Sequence, residues 1–377
     1  MDFDFTKEQK LLKSSAREFL KKECPTSLIR EMRDDERGYP PELWEKMAEL
    51  GWLGIGIPEE YGGIGGNFLD LMLLLETMGE VCLPGPFFST VVTGSLPIVD
   101  AGSKAQKDYL LPKIANGELI FSLAVIEPDS RYGTATLSTT ATAENGDYII
   151  NGTKLLVENA HIADYLLVLV RTDEGKTTTD GLTLFLVEGN RPGLSFTLLK
   201  TLAHDKLSEV AFDNVRVPKE DMVGEINQAW PILEKIQDQA AVAKCADILG
   251  GLKVALKSTV DYAKQRKQFG RSIGSFQVIQ HYCAEMQAEF DTSMVITYQA
   301  AWKMAEGMPA TLEASMAKAW ISKASTRLLQ LGHQIHGAIG FCEETDLHLY
   351  YRRARAGTVM YGDEDHHLEK VAQNIGL

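Results

Sequence analysis

The stretch Tyr361-Gly362-Asp363-Glu364-Asp365-His366-His367 is dense in titratable groups. Three carboxylates and two histidines in a row could bind a metal or move protons. The same residues suit a solvated helix start, because Asp and Glu are favoured at the positive end of the helix dipole. No further ligand stands at a fixed metal-binding spacing, so no metal is assigned. A second block, Tyr262-Ala263-Lys264-Gln265-Arg266-Lys267-Gln268-Phe269-Gly270, combines basic residues, aromatics and a terminating glycine. The Arg266 fork could hold a phosphate while Phe269 stacks on a heterocycle. It also reads as a basic helix C-terminus that complements the dipole, and the residues alone leave both readings open.

A third block, Gln334-Ile335-His336-Gly337-Ala338-Ile339-Gly340-Phe341, offers glycines that permit close backbone approach to a pyrophosphate or adenosine. It equally suits a helix C-cap followed by a turn. Glu127-Pro128 follows an apolar run and could place a loop over a flat ligand, or simply end a strand.

The elements that must position these groups change character twice. Thr6 and Gln9 form a capping box, Pro40-Pro41 opens a helix with Leu43, Trp44, Met47 and Leu50 on one face, and Leu69–Glu80 is again helical. From Glu118, short β-branched or aromatic runs alternate with turn residues: Leu119–Ile126, Tyr148–Ile150, Tyr165–Val170, Leu182–Val187 and Val210–Val217. With no long helix between them, they predict an antiparallel sheet or barrel rather than βαβ units. Segments near 228–265, 276–306 and 310–338 are rich in helix formers. The expected domains are 1–117, 118–226 and 227–377.

Composition narrows the function. The 377 residues are 45% hydrophobic and 24% charged, with a net charge of −14. That balance disfavours nucleic acid and anionic membranes as partners. An anionic ligand would need a local cluster of basic side chains or helix N-termini. The five cysteines are scattered without a CxxC pair, which argues against disulfides and structural zinc. No apolar run reaches membrane-spanning length, and Asp2 and Asp4 do not suit a secretory leader, so a cytoplasmic protein is expected.

In order along the chain, "PEEYGG" at 58–63, "LLPKIANGE" at 110–118, Glu127-Pro128, "INGTK" and "ENAHIAD" at 150–164, "FDNVRVP" at 212–218, "YAKQRKQFG" at 262–270 and "QIHGAIGF" at 334–341 resemble the acyl-CoA dehydrogenase family. The resemblance implies an α+β fold with an N-terminal helical domain, a central antiparallel β-barrel and a C-terminal four-helix bundle. It implies FAD as cofactor, an acyl-CoA thioester desaturated between its α and β carbons, and an electron-transfer flavoprotein as acceptor. In such proteins a carboxylate takes the α-proton while flavin N5 accepts the β-hydride. The ADP end of a flavin held by a neighbouring subunit would be met by Arg266, Phe269, Gln277, Gln334 and Gly337.

The match fails on the other side of the site. The usual base precedes the glycine of a Tyr-Glu-Gly-Thr motif, where this chain has Tyr361 before Gly362. The alternative base position, on the first long C-terminal helix, falls on Ala240. A phenol, with an ordinary pKa of about 10, is a poor base at neutral pH. The small hydroxyl-bearing stretch that faces the flavin is replaced by Ile126-Glu127-Pro128-Asp129-Ser130-Arg131-Tyr132, and the usual Trp-Ile-Thr by Leu156-Val157-Glu158. No catalytic residue is therefore assigned. The expectation is a dimer or tetramer acting as one subunit of a hetero-oligomeric dehydrogenase, or with a displaced base such as Asp365. The alternative is a non-catalytic homologue or a non-redox acyl-CoA lyase.

Overall fold

A computed structural model describes residues 4–130, 137–174 and 177–377. Helix α1 (Lys7–Glu23) opens on the expected capping box, with Thr6 Oγ1 accepting from the Gln9 N–H at 3.2 Å and Gln9 Oε1 accepting from the Thr6 N–H at 3.1 Å. Next come α2 (Thr26–Asp34) and α3 (Pro41–Glu49). Leu43, Trp44 and Met47 are buried on α3, whereas Leu50 lies past the helix end and stays exposed. Helix α4 (Phe68–Glu80) is followed by a π-helical stretch, Phe88–Ser95, and then by α5 (Leu96–Ala101) and α6 (Lys104–Ala115).

The sheet contains β1 (Phe121–Ala124), β2 (Thr140–Glu144), β3 (Asp147–Glu158), β4 (Tyr165–Arg171), β5 (Leu182–Glu188), β6 (Leu194–Leu198), β7 (Leu207–Val217) and β8 (Met222–Val223). Its eight strands run in the order β6-β7-β3-β2-β4-β5-β8, with β1 also on β4. Pairing is antiparallel except that β1 and β2 both run parallel to β4, a departure from the wholly antiparallel sheet expected. The long connection after β1 lets the chain return in the same direction, so β1 and β2 lie in succession along one side of β4. The apolar runs of β4 and β5 are continuous because those strands are buried on both faces. Strands β2 and β6 escaped the sequence reading because small, polar and half-exposed residues break their patterns.

The chain then forms α7 (Ala229–Gln265), a small hairpin of β9 (Lys267–Gln268) and β10 (Arg271–Ser272), and the helices α8 (Gln277–Ala305), α9 (Thr311–His336), α10 (Leu347–Val359) and α11 (Glu364–Asn374). Among the described residues no helix is long and apolar enough to cross a membrane.

Two compact units emerge, neither continuous in sequence. One comprises Glu31–Asn67 and Pro84–Gln237. Its core packs Leu110, Leu111 and Ile114 of α6 with Leu167, Leu184 and Leu186 of the sheet and with Leu233 and Ile236 of α7. Each such side chain contributes about 1.5–3 kcal/mol by leaving water. The other comprises the chain up to Arg30, Phe68–Leu83 and Asp238–Leu377.

Within this second unit, Glu76 of α4 is buried and accepts hydrogen bonds from Lys13 of α1 at 2.6 Å and from the Tyr298 hydroxyl of α8. Glu80 accepts from Arg17 Nε and Nη2, each at 2.7 Å, and from Lys253 of α7 at 2.9 Å. Helices α4 and α7 meet where neither side presents a side chain, at Gly79 and Gly250. A Cβ on Gly250 would collide with the Glu76 carbonyl, and one on Gly79 with the Asp247 carbonyl. Backbone cannot yield as a flexible side chain does. Gly250→Ala is expected to cost about 1–3 kcal/mol of stability, read by chemical denaturation. Unchanged stability would show that this crossing does not depend on glycine.

Candidate functional site

The C-terminal ends of α7 and α9 are joined by aromatic rings. Tyr262 stacks on His336 with centroids 4.4 Å apart and planes 20° from parallel, and its hydroxyl lies 3.5 Å from the His336 carbonyl. Those two residues are 74 apart in sequence. The stack brings the segment carrying Arg266 and Phe269 to the helix end carrying Gln334 and Gly337.

Beyond α7, the Arg266 N–H donates to the Tyr262 carbonyl at 2.8 Å, and the Arg266 carbonyl accepts from the Ile273 N–H at 2.8 Å. Between these anchors the hairpin turns through Phe269 (φ +54°) and Gly270 (φ +78°), the signs of a type I′ turn. Asn or Asp usually precedes glycine there, and a bulky residue in this region carries strain. Phe269 is nonetheless 92% exposed, touching Phe276 edge-on at 6.1 Å. A strained, solvent-facing phenyl gains nothing from this chain's core, so its position suits a contact with another molecule.

Gln277 begins α8 and is exposed. No side chain caps that 29-residue helix, and the Arg271 guanidinium lies over the ring of its N-cap residue Phe276 at 4.1 Å. Such a helix end favours an anion, and the basic side chains add to it despite the acid chain. Gln334 is exposed on the last turn of α9. Gly337 ends that helix at φ +65°, ψ −145°, a conformation open to glycine, and nothing lies within 4 Å of where a Cβ would be. That open cradle leaves room for a flat or phosphorylated group. Arg266, Phe269, Gln277, Gln334 and Gly337 therefore lie around one junction.

The expected base positions show no carboxylate. Ala240 is fully buried in α7. Tyr361 is half-buried with φ +57°, followed by Gly362 at φ +101°. Asp363 caps α11 by accepting the His366 N–H at 2.9 Å. Asp365 is exposed in the first turn of that helix, which counts against it as a displaced base. Asp238, nearly buried on α7, pairs with Lys370 at 3.1 Å.

In the sheet-containing unit, Glu127 is not an exposed loop residue but an internal anchor. It accepts from Lys154 Nζ at 2.7 Å, from the Ser138 N–H and hydroxyl at 2.6 and 2.8 Å, and from the Thr139 N–H at 3.0 Å. Both partners are essentially sealed from solvent. Burial alone would push the Glu127 carboxyl up, but Lys154 and these donors outweigh it and hold the group at about 2. Strand β3 bulges between Lys154 and Val157, where Leu156 takes φ +56°. The bulge turns Val157 inward, exposes Leu156 and leaves Glu158 half-buried. Arg131 and Tyr132 of the altered flavin-facing stretch lie outside the described residues.

Three family models cover the chain: the acyl-CoA dehydrogenase N-terminal domain over residues 6–118, the middle domain over 122–215 and the C-terminal domain over 228–376. A 3-(aryl)acrylate reductase of Clostridium sporogenes is 31% identical over 98% of this chain and 99% of its own length. The caffeyl-CoA reductase–Etf complex subunit CarC of Acetobacterium woodii is 30% identical over 95% of each chain. The solved butyryl-CoA dehydrogenase of Megasphaera elsdenii superposes with a TM-score of 0.93 at 28% identity, covering 100% of both chains. The chain belongs to the acyl-CoA dehydrogenase family, FAD-dependent oxidoreductases acting on the CH–CH bond of acyl-CoA thioesters.

The sequence pointed to neither the Glu127–Lys154 pair nor the Tyr262–His336 stack, although each residue stands in a quoted motif. The available signal was Lys154 on the same strand face as Tyr148 and Ile150, an inward position that demands a buried partner. Removing one member leaves the other charge stranded, so Glu127→Gln should cost about 3–5 kcal/mol in chemical denaturation. The folded carboxyl lies below its ordinary 4.5, so its stabilisation is complete above that value and is lost as pH falls from 4.5 towards about 2. The variant should lack that acid limb; an identical pH–stability curve would contradict the assignment.

Proposed function

We propose that this chain is the supporting subunit of a hetero-oligomeric acyl-CoA dehydrogenase. Its Arg266, Phe269, Gln277, Gln334 and Gly337 would receive the ADP end of an FAD whose ring and catalytic base belong to a partner chain of the same family. The observation that carries this reading is one-sided. The ADP-side residues are present, exposed and gathered around one helix junction, whereas Tyr361 and Ala240 occupy both base positions. We further propose the three-part division at 1–117, 118–226 and 227–377, a dimer or tetramer as the assembly, and a cytoplasmic location. An electron-transfer flavoprotein is the proposed acceptor, supported by similarity to CarC, named as part of an Etf complex.

Bound FAD would supply hydride acceptance. What this chain contributes is charge and shape. The Arg266 guanidinium would meet a phosphate through paired N–H donors, and the Phe269 face would cover the adenine. The group at the base position, 361, is a phenol, a type that at its ordinary pKa of about 10 is ionised in only about one molecule in a thousand at pH 7, a deficit of about 4 kcal/mol for proton removal. A Tyr at that position leaves α-proton removal to another subunit.

Arg266→Ala removes a charge-assisted contact worth about 1.5–3 kcal/mol. In the native assembly it should lower both FAD content and the unfolding temperature, and unchanged values for both would refute the role. A second test assays Tyr361→Phe and Tyr361→Glu with an artificial electron acceptor on several acyl-CoAs. The Phe variant should behave as the parent, and loss of a robust parent activity would overturn the reading. Gain of activity in the Glu variant would show that only the base is missing from this chain's own site.

A further inference from the structure

Lys318, in the middle of α9, is completely buried, and its amine points at backbone rather than at a carboxylate. Nζ donates to the Gly362 carbonyl at 2.6 Å and the Thr358 carbonyl at 3.0 Å, with Ser322 Oγ at 3.4 Å. Thr358 lies in the last turn of α10, where unpaired carbonyls gather the negative end of the helix dipole. That end offsets part of the cost of a buried ammonium. Burial still pushes the Lys318 amine down to about 8. A costly group kept here must be holding something.

What it holds is the corner between α10 and α11. On the other side of that corner, His367 is buried and its Nε2 lies 2.8 Å from the Tyr361 carbonyl. A carbonyl only accepts, so Nε2 carries the proton. Burial, which pushes this imidazole down to about 3, keeps it neutral across the working pH range. Gly362 cannot be replaced easily, because a Cβ there would meet His367 and His366 side chains. Successive carbonyls, Tyr361 to His367 of α11 and Gly362 to Lys318 of α9, are thus fixed from two helices, and Asp363 caps α11. Both residues of the corner are left-handed, a conformation that a tyrosine adopts only when its surroundings impose it.

We infer that Lys318 is a positioning residue: with His367 it clamps the Tyr361–Gly362 corner and so fixes the direction of whatever side chain stands at position 361. The link to acyl-CoA chemistry rests on the functional reading above, but the clamp does not.

The test places para-fluorophenylalanine, which does not titrate, at position 361 and records its fluorine resonance in the native assembly. With Lys318 present a single narrow line is expected, and Lys318→Met should split, shift or broaden it. An unaltered line in a folded Lys318→Met protein would overturn the clamp. If Lys318→Met does not fold, Lys318→Gln, which keeps one donor, carries the same comparison.

In a Tyr361→Glu background assayed with butyryl-CoA and an artificial acceptor, Lys318→Met should lower kcat by about a hundredfold with KM little changed. A change in KM alone, or kcat unaffected, would contradict positioning. A Tyr361→Glu variant without activity agrees with the flavin ring lying on a partner chain, and the fluorine spectrum then decides the clamp.

Discussion

Where α7 and α9 finish, Tyr262 lies flat on His336, and the geometry of the candidate cofactor surface follows from that contact. A ring pair of this kind contributes about 0.5–1.5 kcal/mol beyond simple burial. Its larger effect is to fix register. Helix α7 is 37 residues long and α9 is 26, so a small shift along either axis would carry Arg266 away from Gln334 and Gly337. With the helix ends held together, the segments that carry the strained hairpin tip at Phe269, the uncapped start of α8 and the open glycine at 337 lead away from one contact.

The same unit contains the opposite case, a well-built corner with an unsuitable reactive group. Two neighbouring carbonyls are gripped by Lys318 and His367, and Asp363 caps the next helix, yet the side chain delivered is a phenol. Packing makes such a frame independent of the group it carries. Deleting Lys318 or His367 would strand buried carbonyls, whereas exchanging the half-buried side chain at 361 disturbs little. A chain can lose its base by one substitution and keep every support around it.

Much of the fold was legible in the sequence because it rests on local rules. The Thr6–Gln9 box, the Pro-led α3 and the unbroken apolar runs of β4 and β5 each follow from neighbouring residues. The candidate residues were legible too, as motifs in order. What joins them was not. Lys154 finds Glu127 from 27 positions away, and Lys318 finds Gly362 from 44. The parallel run of β1 and β2 beside β4 depends on how a long connection returns, and the β3 bulge reverses which of Leu156 and Val157 is buried. None of these has a local signature. The grouping of α1 and α4 with the C-terminal helices likewise depends on Glu76, Glu80 and the paired glycines, which periodicity alone does not link.

The central claim is that this chain meets the ADP end of a flavin whose ring another chain holds. Its most direct test is the visible absorbance of the chain purified by itself, giving the ratio of bound flavin to polypeptide after FAD is offered in excess and the unbound part removed. The account predicts a ratio far below one, rising only when a partner of the same family with a carboxylate at its base position is added. A full complement of flavin on the isolated chain, bleached by a straight-chain acyl-CoA, would contradict it.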